Sequence, residues 1–129
     1  MTALGVVNAR MEAVLRLRVR GPDGAEAEID AVVDTGYTGS LTLSASLATS
    51  LGLARRSGGR AVLADGSSRR FDTYAAEVAW VGSWRGVVAS AIGDEALVGM
   101  GLLTGHELRV EVVEGGAVVV GLLPSQNAA

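Results

Sequence analysis

From Leu15 the chain alternates strictly: Leu15, Leu17 and Val19 are apolar, and Arg16, Arg18 and Arg20 stand between them. A period of two marks a strand with one buried face. Gly21-Pro22-Asp23-Gly24 is a strong turn signal, and the return strand sets Ala27, Ile29, Ala31 and Val33 against Glu26, Glu28 and Asp30. The three arginines and three acids are expected to face each other across this hairpin as a solvated face, each cross-strand pair contributing about 0.2–1 kcal/mol. Leu41–Leu43 reads as a short strand. Ser44 is placed to cap a helix over Ala45–Leu51, with Gly52 as its stop. Strand is expected over Arg60–Leu63, a hairpin turn at Ala64-Asp65-Gly66-Ser67, then long strands from Arg70 to Val81 and from Trp84 to Ile92. After the break at Gly93-Asp94-Glu95 come the short apolar run Leu97-Val98-Gly99 and a helical turn over Met100–Thr104. Leu108, Val110 and Val112 alternate again, and Ala117–Val120 follows a turn at Glu114-Gly115-Gly116. Residues 1–13 show no clear period and are read as lying open or pairing with another chain. Ser125–Ala129 reads as a frayed polar tail.

The order hairpin, apolar strand, Gly-containing turn and short helix occurs around residues 15–52 and recurs around 70–105. Two degenerate halves of this kind predict a mainly β, closed barrel with one short helix. A length of 129 residues fits one domain, 1–129, with its core at about 14–121.

Composition narrows the chemistry. Gly is 18 of 129 residues, about twice the usual ~7%, while Pro is only 2; that balance fits many tight turns rather than a linker. Cysteine is absent, which removes disulfides, thiol nucleophiles and Cys-ligated zinc. All 11 basic residues are Arg, so no Walker, Schiff-base or Ser–Lys lysine exists. The lone His106 cannot form a multi-histidine metal site in one chain, and no metal or other cofactor is expected. A formal charge of −3 offers no electrostatic case for nucleic acid. Apolar runs reach about half the ~20 residues a membrane helix needs, and no signal peptide is evident, so no membrane partner and a cytoplasmic address are expected. The Ala, Gly, Val and Arg bias suggests a GC-rich bacterial genome.

One carboxylate stands out. Asp34 directly follows the apolar Ala31-Val32-Val33, and the residues after it, Thr35-Gly36-Tyr37-Thr38-Gly39-Ser40, are mostly small or hydroxylic. A loop of that kind can aim backbone N–H groups at a carboxylate and fix its orientation. Two carboxylates sharing a proton can activate a water between them. The chain has one such loop, so a second copy must come from a second chain about a two-fold axis.

From Leu15 to Val120 the sequence resembles the single-domain retropepsin-like (clan AA) aspartic proteases in their small bacterial form. The pieces occur in family order: the first hairpin, Val32-Val33-Asp34-Thr35-Gly36, the flap-like Leu63-Ala64-Asp65-Gly66-Ser67, and Leu97-Val98-Gly99 followed by Met100-Gly101-Leu102-Leu103. Gly99 lies 63 residues beyond Gly36. The resemblance implies an acid-protease-like barrel with a flap hairpin, acting as a homodimeric endopeptidase on a peptide or protein substrate. Asp34 would be the catalytic carboxylate of each subunit. Thr35 would bond across the axis, and Gly36 would present its N–H to the carboxylate. Ala64, Asp65 and Gly66 would form the substrate-binding flap tip, with Leu97-Val98-Gly99 packed beneath the catalytic loop. Tyr37 stands where retroviral members usually have Ala and two-domain members often Ser. Gly101 stands where bacterial relatives commonly place Asp, and the retroviral Arg-Asn near Met100 and Gly101 is absent.

Other readings of these residues are weaker. Thr38 and Ser40 as phosphate contacts need a much larger fold, and Ser40 with His106 lacks a nucleophile-elbow sequence. His106 is expected at the surface before the Leu108 strand, Trp80 and Trp84 as packing residues, and Arg55-Arg56 and Arg69-Arg70 as solvated charges. The alternative of another class is a non-catalytic dimeric protein- or peptide-binding module that keeps the fold and its groove.

Overall fold

A computed structural model describes residues 1–124; the frayed tail expected at Ser125–Ala129 lies outside the described residues. The elements in chain order are β1 (Thr2–Val7), β2 (Ala13–Arg20), β3 (Glu26–Val33), β4 (Leu41–Leu43), α1 (Ala45–Ser50), β5 (Ala54–Val62), β6 (Ser68–Trp80), β7 (Ser83–Ala91), β8 (Leu97–Val98), α2 (Met100–Leu103), β9 (His106–Val110) and β10 (Ala117–Leu122). Of the described residues 56% are strand and 9% helix, far below the ~30–35% helix of an average domain. The mainly β reading therefore holds.

Six strands close a barrel in the order β2, β3, β8, β4, β7, β6, and β6 returns to β2 through Val19↔Val78 and Arg20↔Glu77. Outside it, β1, β10 and β9 extend the sheet from β2, and β5 extends it beyond β6. The inward residues of the alternating strands fill the interior: Leu15, Leu17, Val19, Leu41, Leu43, Val78 and Val98 are all buried. Burying one such side chain contributes roughly 1.5–3 kcal/mol.

The two-half pattern of the sequence reappears in the pairing. β3 runs parallel to β8, and β7 runs parallel to β4, so exchanging β2-β3-β4-α1 with β6-β7-β8-α2 maps the barrel onto itself. Ser44 caps α1 by accepting from the Leu47 N–H at 3.1 Å, as its position before the helix predicts.

Three expectations are corrected. Residues 1–13 neither lie open nor wait for another chain: β1 is paired on both sides, with β2 and with β10, and Val7 belongs to the core, upstream of residue 14. Its alternation was hidden because the inward positions before Val7 are Ala3 and Gly5. A Cβ at Gly5 would fall on the Val14 carbonyl, so this small residue is what lets β1 approach β2. Second, β5 begins at Ala54 rather than Arg60, and Arg55 and Arg56 are strand residues. Third, the arginines and acids of the first hairpin do not all pair across it. Arg16 meets Glu28 and Asp30, and Arg18 meets Glu26, but Arg20 turns to Glu77 on β6 at 3.1 Å and stacks 4.0 Å over the Trp84 ring.

Candidate active site

β3 carries Asp34 out of the barrel wall. Val32 and Val33 pair with Leu97 and Val98, and the Asp34 N–H donates to the Val98 carbonyl at 2.8 Å. The chain then turns at once. The Gly36 N–H donates to Asp34 Oδ1 at 2.9 Å, and the Tyr37 N–H donates to the Asp34 carbonyl at 3.1 Å. Asp34 is thus half-buried, oriented by a backbone donor, and set between exposed Thr35 and Gly36 and the barrel end. Within the described residues the Thr35 hydroxyl has no hydrogen-bond partner.

The loop is interlocked with the segment after β8. Four backbone hydrogen bonds cross between them: Asp34 N–H to Val98, Gly99 N–H to Ser40, Met100 N–H to Tyr37, and Gly101 N–H to Gly39, at 2.8–3.1 Å. No Cβ fits at Gly99, where it would overlap the Gly39 carbonyl and lie 2.7 Å from the Tyr37 carbonyl oxygen. At Gly101 it would lie 2.9 Å from the Gly39 carbonyl carbon. The Tyr37 ring packs over Gly39 and Gly99. Tyr37 and Gly101 thus sit at the same junction by different contacts: the ring lies over Gly39 and Gly99, and Gly101 abuts the Gly39 backbone and the Ser40 hydroxyl. Leu97-Val98-Gly99 does lie against the Asp34 loop, and Met100 and Gly101 join it.

The sequence pattern places Thr42 in the short strand β4 and assigns it no further role. It is the one buried polar residue among the described residues, at 3% exposure. Its hydroxyl donates to the Glu95 carbonyl and accepts from the Leu97 N–H, both at 2.9 Å, which ties β4 to the segment leading into β8. A Thr between two buried leucines was the only signal in the sequence.

Ala64, Asp65 and Gly66 form the tip of the β5–β6 hairpin. The turn is closed by the Leu63 N–H to Ser67 carbonyl bond at 2.7 Å, and Gly66 has φ +85°, where a side chain is strained. Asp65 turns back on its own loop: the Ser67 N–H donates to Oδ1 at 2.9 Å, and the Ser67 hydroxyl donates to the same oxygen. These bonds, the hydroxyl first, hold the Asp65 carboxyl below the ordinary carboxylate range. Val62 and Leu63 leave apolar surface exposed beside the tip.

His106 is not simply a surface residue. It opens β9, is half-buried, and packs edge-on against Trp80 at 5.6 Å between ring centroids. Trp80 is buried, and its indole N–H has no partner among the described residues. No group of three or more His, Asp or Glu among the described residues is placed to hold a metal ion. The apolar groove lined by Arg20, Pro22, Ala54, Ala76 and Val87, about 460 Å³, does not include Asp34.

No family model matches the chain, and neither does any curated protein. Among solved structures the chain is similar to a retropepsin-like aspartic protease from Rickettsia conorii, with a TM-score of 0.60 and 15% identity over 93% of this chain and 90% of that one. At that identity the likeness is one of fold: the closed, mainly β barrel of this chain is retropepsin-like.

Proposed function

We propose that the protein is an aspartic endopeptidase that acts as a homodimer, with one Asp34 from each subunit at the two-fold axis. The observation that carries this reading is the Asp34 loop, a carboxylate oriented by the Gly36 N–H at the open end of a retropepsin-like barrel. The other half of the chain supplies no partner. Where β3 leads into Asp34, β7 ends in Ser90-Ala91-Ile92, so a dyad needs a second copy.

The surface around Asp34 favours that copy. Strand register brings the 8–12 turn, the 111–116 turn and the start of α2 to the same end of the sheet as Asp34. Met11, Met100, Val112 and Val113 are exposed there, at 47–67%. The unpartnered Thr35 hydroxyl at this end would bond across the axis.

In the dimer the two carboxylates share one proton. The ionised one takes a proton from the water lying between them while the protonated one donates to the carbonyl oxygen of the scissile bond. The water oxygen bonds to the carbonyl carbon, giving a tetrahedral diol. Its collapse breaks the C–N bond as the newly protonated carboxyl gives its proton to the leaving nitrogen, and the other carboxylate recovers a proton from the diol hydroxyl. Cleavage needs that single shared proton. The mechanism uses no metal. The flap tip, with exposed Val62 and Leu63, closes over an extended peptide by strand-like hydrogen bonds.

The experiment is cleavage profiling with a mixed peptide library across pH, with a statine-type inhibitor and Asp34→Asn as controls. Inhibitor-sensitive, chelator-insensitive cleavage that Asp34→Asn abolishes is expected. A folded dimer that binds peptides without cleaving any would replace the enzyme by the peptide-binding module.

A further inference from the structure

The β5–β6 hairpin differs in charge from the rest of the molecule. Residues 54–74 carry five Arg against two Asp, a balance of +3 in a chain whose formal charge is −3. Neither acid neutralises the arginines near the tip. Asp72 is paired with Arg55 at 3.0 Å, and Asp65 is folded back on Ser67. Among the described residues, Arg56, Arg60, Arg69 and Arg70 have no carboxylate within ion-pair distance; outside the hairpin only Arg85 shares that, and it donates to the Leu102 carbonyl, while Arg10, Arg16, Arg18, Arg20, Arg55 and Arg109 are all paired.

Arg60 and Arg70 are direct cross-strand partners. Like charges placed so are destabilising. Their face is set by β6, in which Trp80, Val78 and Ala76 are buried and Tyr74 packs on the core. Arg70 continues that alternation beyond the barrel, and Arg60 lies opposite it, so both belong to the core-side face of the hairpin. Arg60 and Arg70 together line a groove of about 400 Å³ with Arg55, Phe71 and Asp72, and Arg70 also borders a neighbouring groove of about 420 Å³ that reaches the start of α1 and the Ile92–Asp94 turn. Charged side chains on an exposed edge strand hinder pairing with other chains. That accounts for Arg56 and Arg60 on the edge strand β5, but not for Arg69 and Arg70 on its inner neighbour β6.

We propose that the Arg60–Arg70 pair selects peptides with an acidic side chain, whose carboxylate bridges the two guanidinium groups when the flap closes. This rests on the protease reading and names its substrate class. A carboxylate between two arginines converts a repulsive cross-strand pair into charge-assisted hydrogen bonds. Asp72, in the same groove, is already paired with Arg55, and Asp94 lies in the neighbouring groove, so the two unpaired guanidinium groups are the place for an incoming acid.

Two assays keep this inference separate from the reading beneath it. The first compares kcat/KM for matched peptides with Glu or Gln near the scissile bond. The wild type should favour Glu by on the order of tenfold at low ionic strength, less in high salt. The ratio should fall toward one in the Arg60→Gln/Arg70→Gln variant and invert with Arg60→Glu/Arg70→Glu. Cleavage with no preference for Glu overturns the inference while leaving the protease intact. The second assay needs no turnover: binding of fluorescent acidic, neutral and basic decapeptides to Asp34→Asn protein. If the wild type cleaves nothing, the protease reading falls, and this assay decides alone. Tighter binding of the acidic peptide, lost in the double-Gln variant, supports the inference; equal binding of all three, or tighter binding of a single-stranded oligonucleotide, overturns it.

Discussion

The Asp34 loop and the flap tip begin with the same local device. In each, an Asp accepts through Oδ1 from the backbone N–H two residues on, Gly36 in one and Ser67 in the other, both at 2.9 Å. Their surroundings differ. The Asp34 loop is joined to a segment about sixty residues away by four backbone hydrogen bonds and by glycines with no room for a side chain. The flap tip holds only itself, through the Leu63–Ser67 and Leu63–Gly66 backbone bonds and the Asp65 carboxylate. A carboxylate that must keep a catalytic orientation needs the first arrangement, and a cover that must open needs the second.

Substitutions in the two regions should therefore differ in kind. The largest effect expected is on chemistry: Asp34→Asn keeps size and shape but removes the base, so peptide cleavage should fall by on the order of 10²–10⁴-fold or more, with thermal unfolding close to that of the wild type. Gly99→Ala attacks the interlock itself. The new methyl meets the Gly39 and Tyr37 carbonyls, and denaturant unfolding should show a loss of about 1–3 kcal/mol. Thr42→Val removes a hydroxyl that serves two backbone groups and leaves the Leu97 N–H and Glu95 carbonyl unpaired, for about 1–3 kcal/mol in the same assay. A wild-type denaturation midpoint for either variant would mean that the Asp34 loop does not depend on these contacts.

The smallest effect belongs to the flap. The Asp65 carboxyl lies below the ordinary carboxylate range, so its support of the turn is present above that range and is lost as pH falls through the folded value. Amide exchange at Ser67 should quicken relative to its neighbours under acid, while the amides of the Asp34 loop stay protected. Equal acid sensitivity in both regions would erase the contrast.

Much of the barrel was legible because Leu15–Val19 and Ala27–Val33 alternate with charged residues, and because Gly21–Gly24, Asp65-Gly66 and Gly82-Ser83 mark the turns between strands. β1 was not legible, since Ala3 and Gly5 give an inward face with no hydrophobic contrast. The first half of β5 was missed for another reason. Arg55–Gly59 is mostly solvent-exposed, and pairing with β6, not burial, holds it as strand. Asp34, Thr35 and Gly36 stood out locally by following a wholly apolar strand end. The interlock that fixes them did not, because its hydrogen bonds join backbone groups far apart in sequence and leave no trace in residue type except the glycines. The like-charge pair of Arg60 and Arg70 likewise emerges only once the register is known.

The central claim is that one active site is built from two chains. The most direct test mixes wild-type and Asp34→Asn subunits in equal amounts, allows exchange, and measures peptide cleavage against total wild-type protein alone. A dyad needing Asp34 from both subunits leaves activity only in wild-type homodimers, about a quarter of that of an all-wild-type sample at the same total concentration. Retention of half the activity, in proportion to the wild-type chains present, would show that each chain works alone and would contradict the shared site.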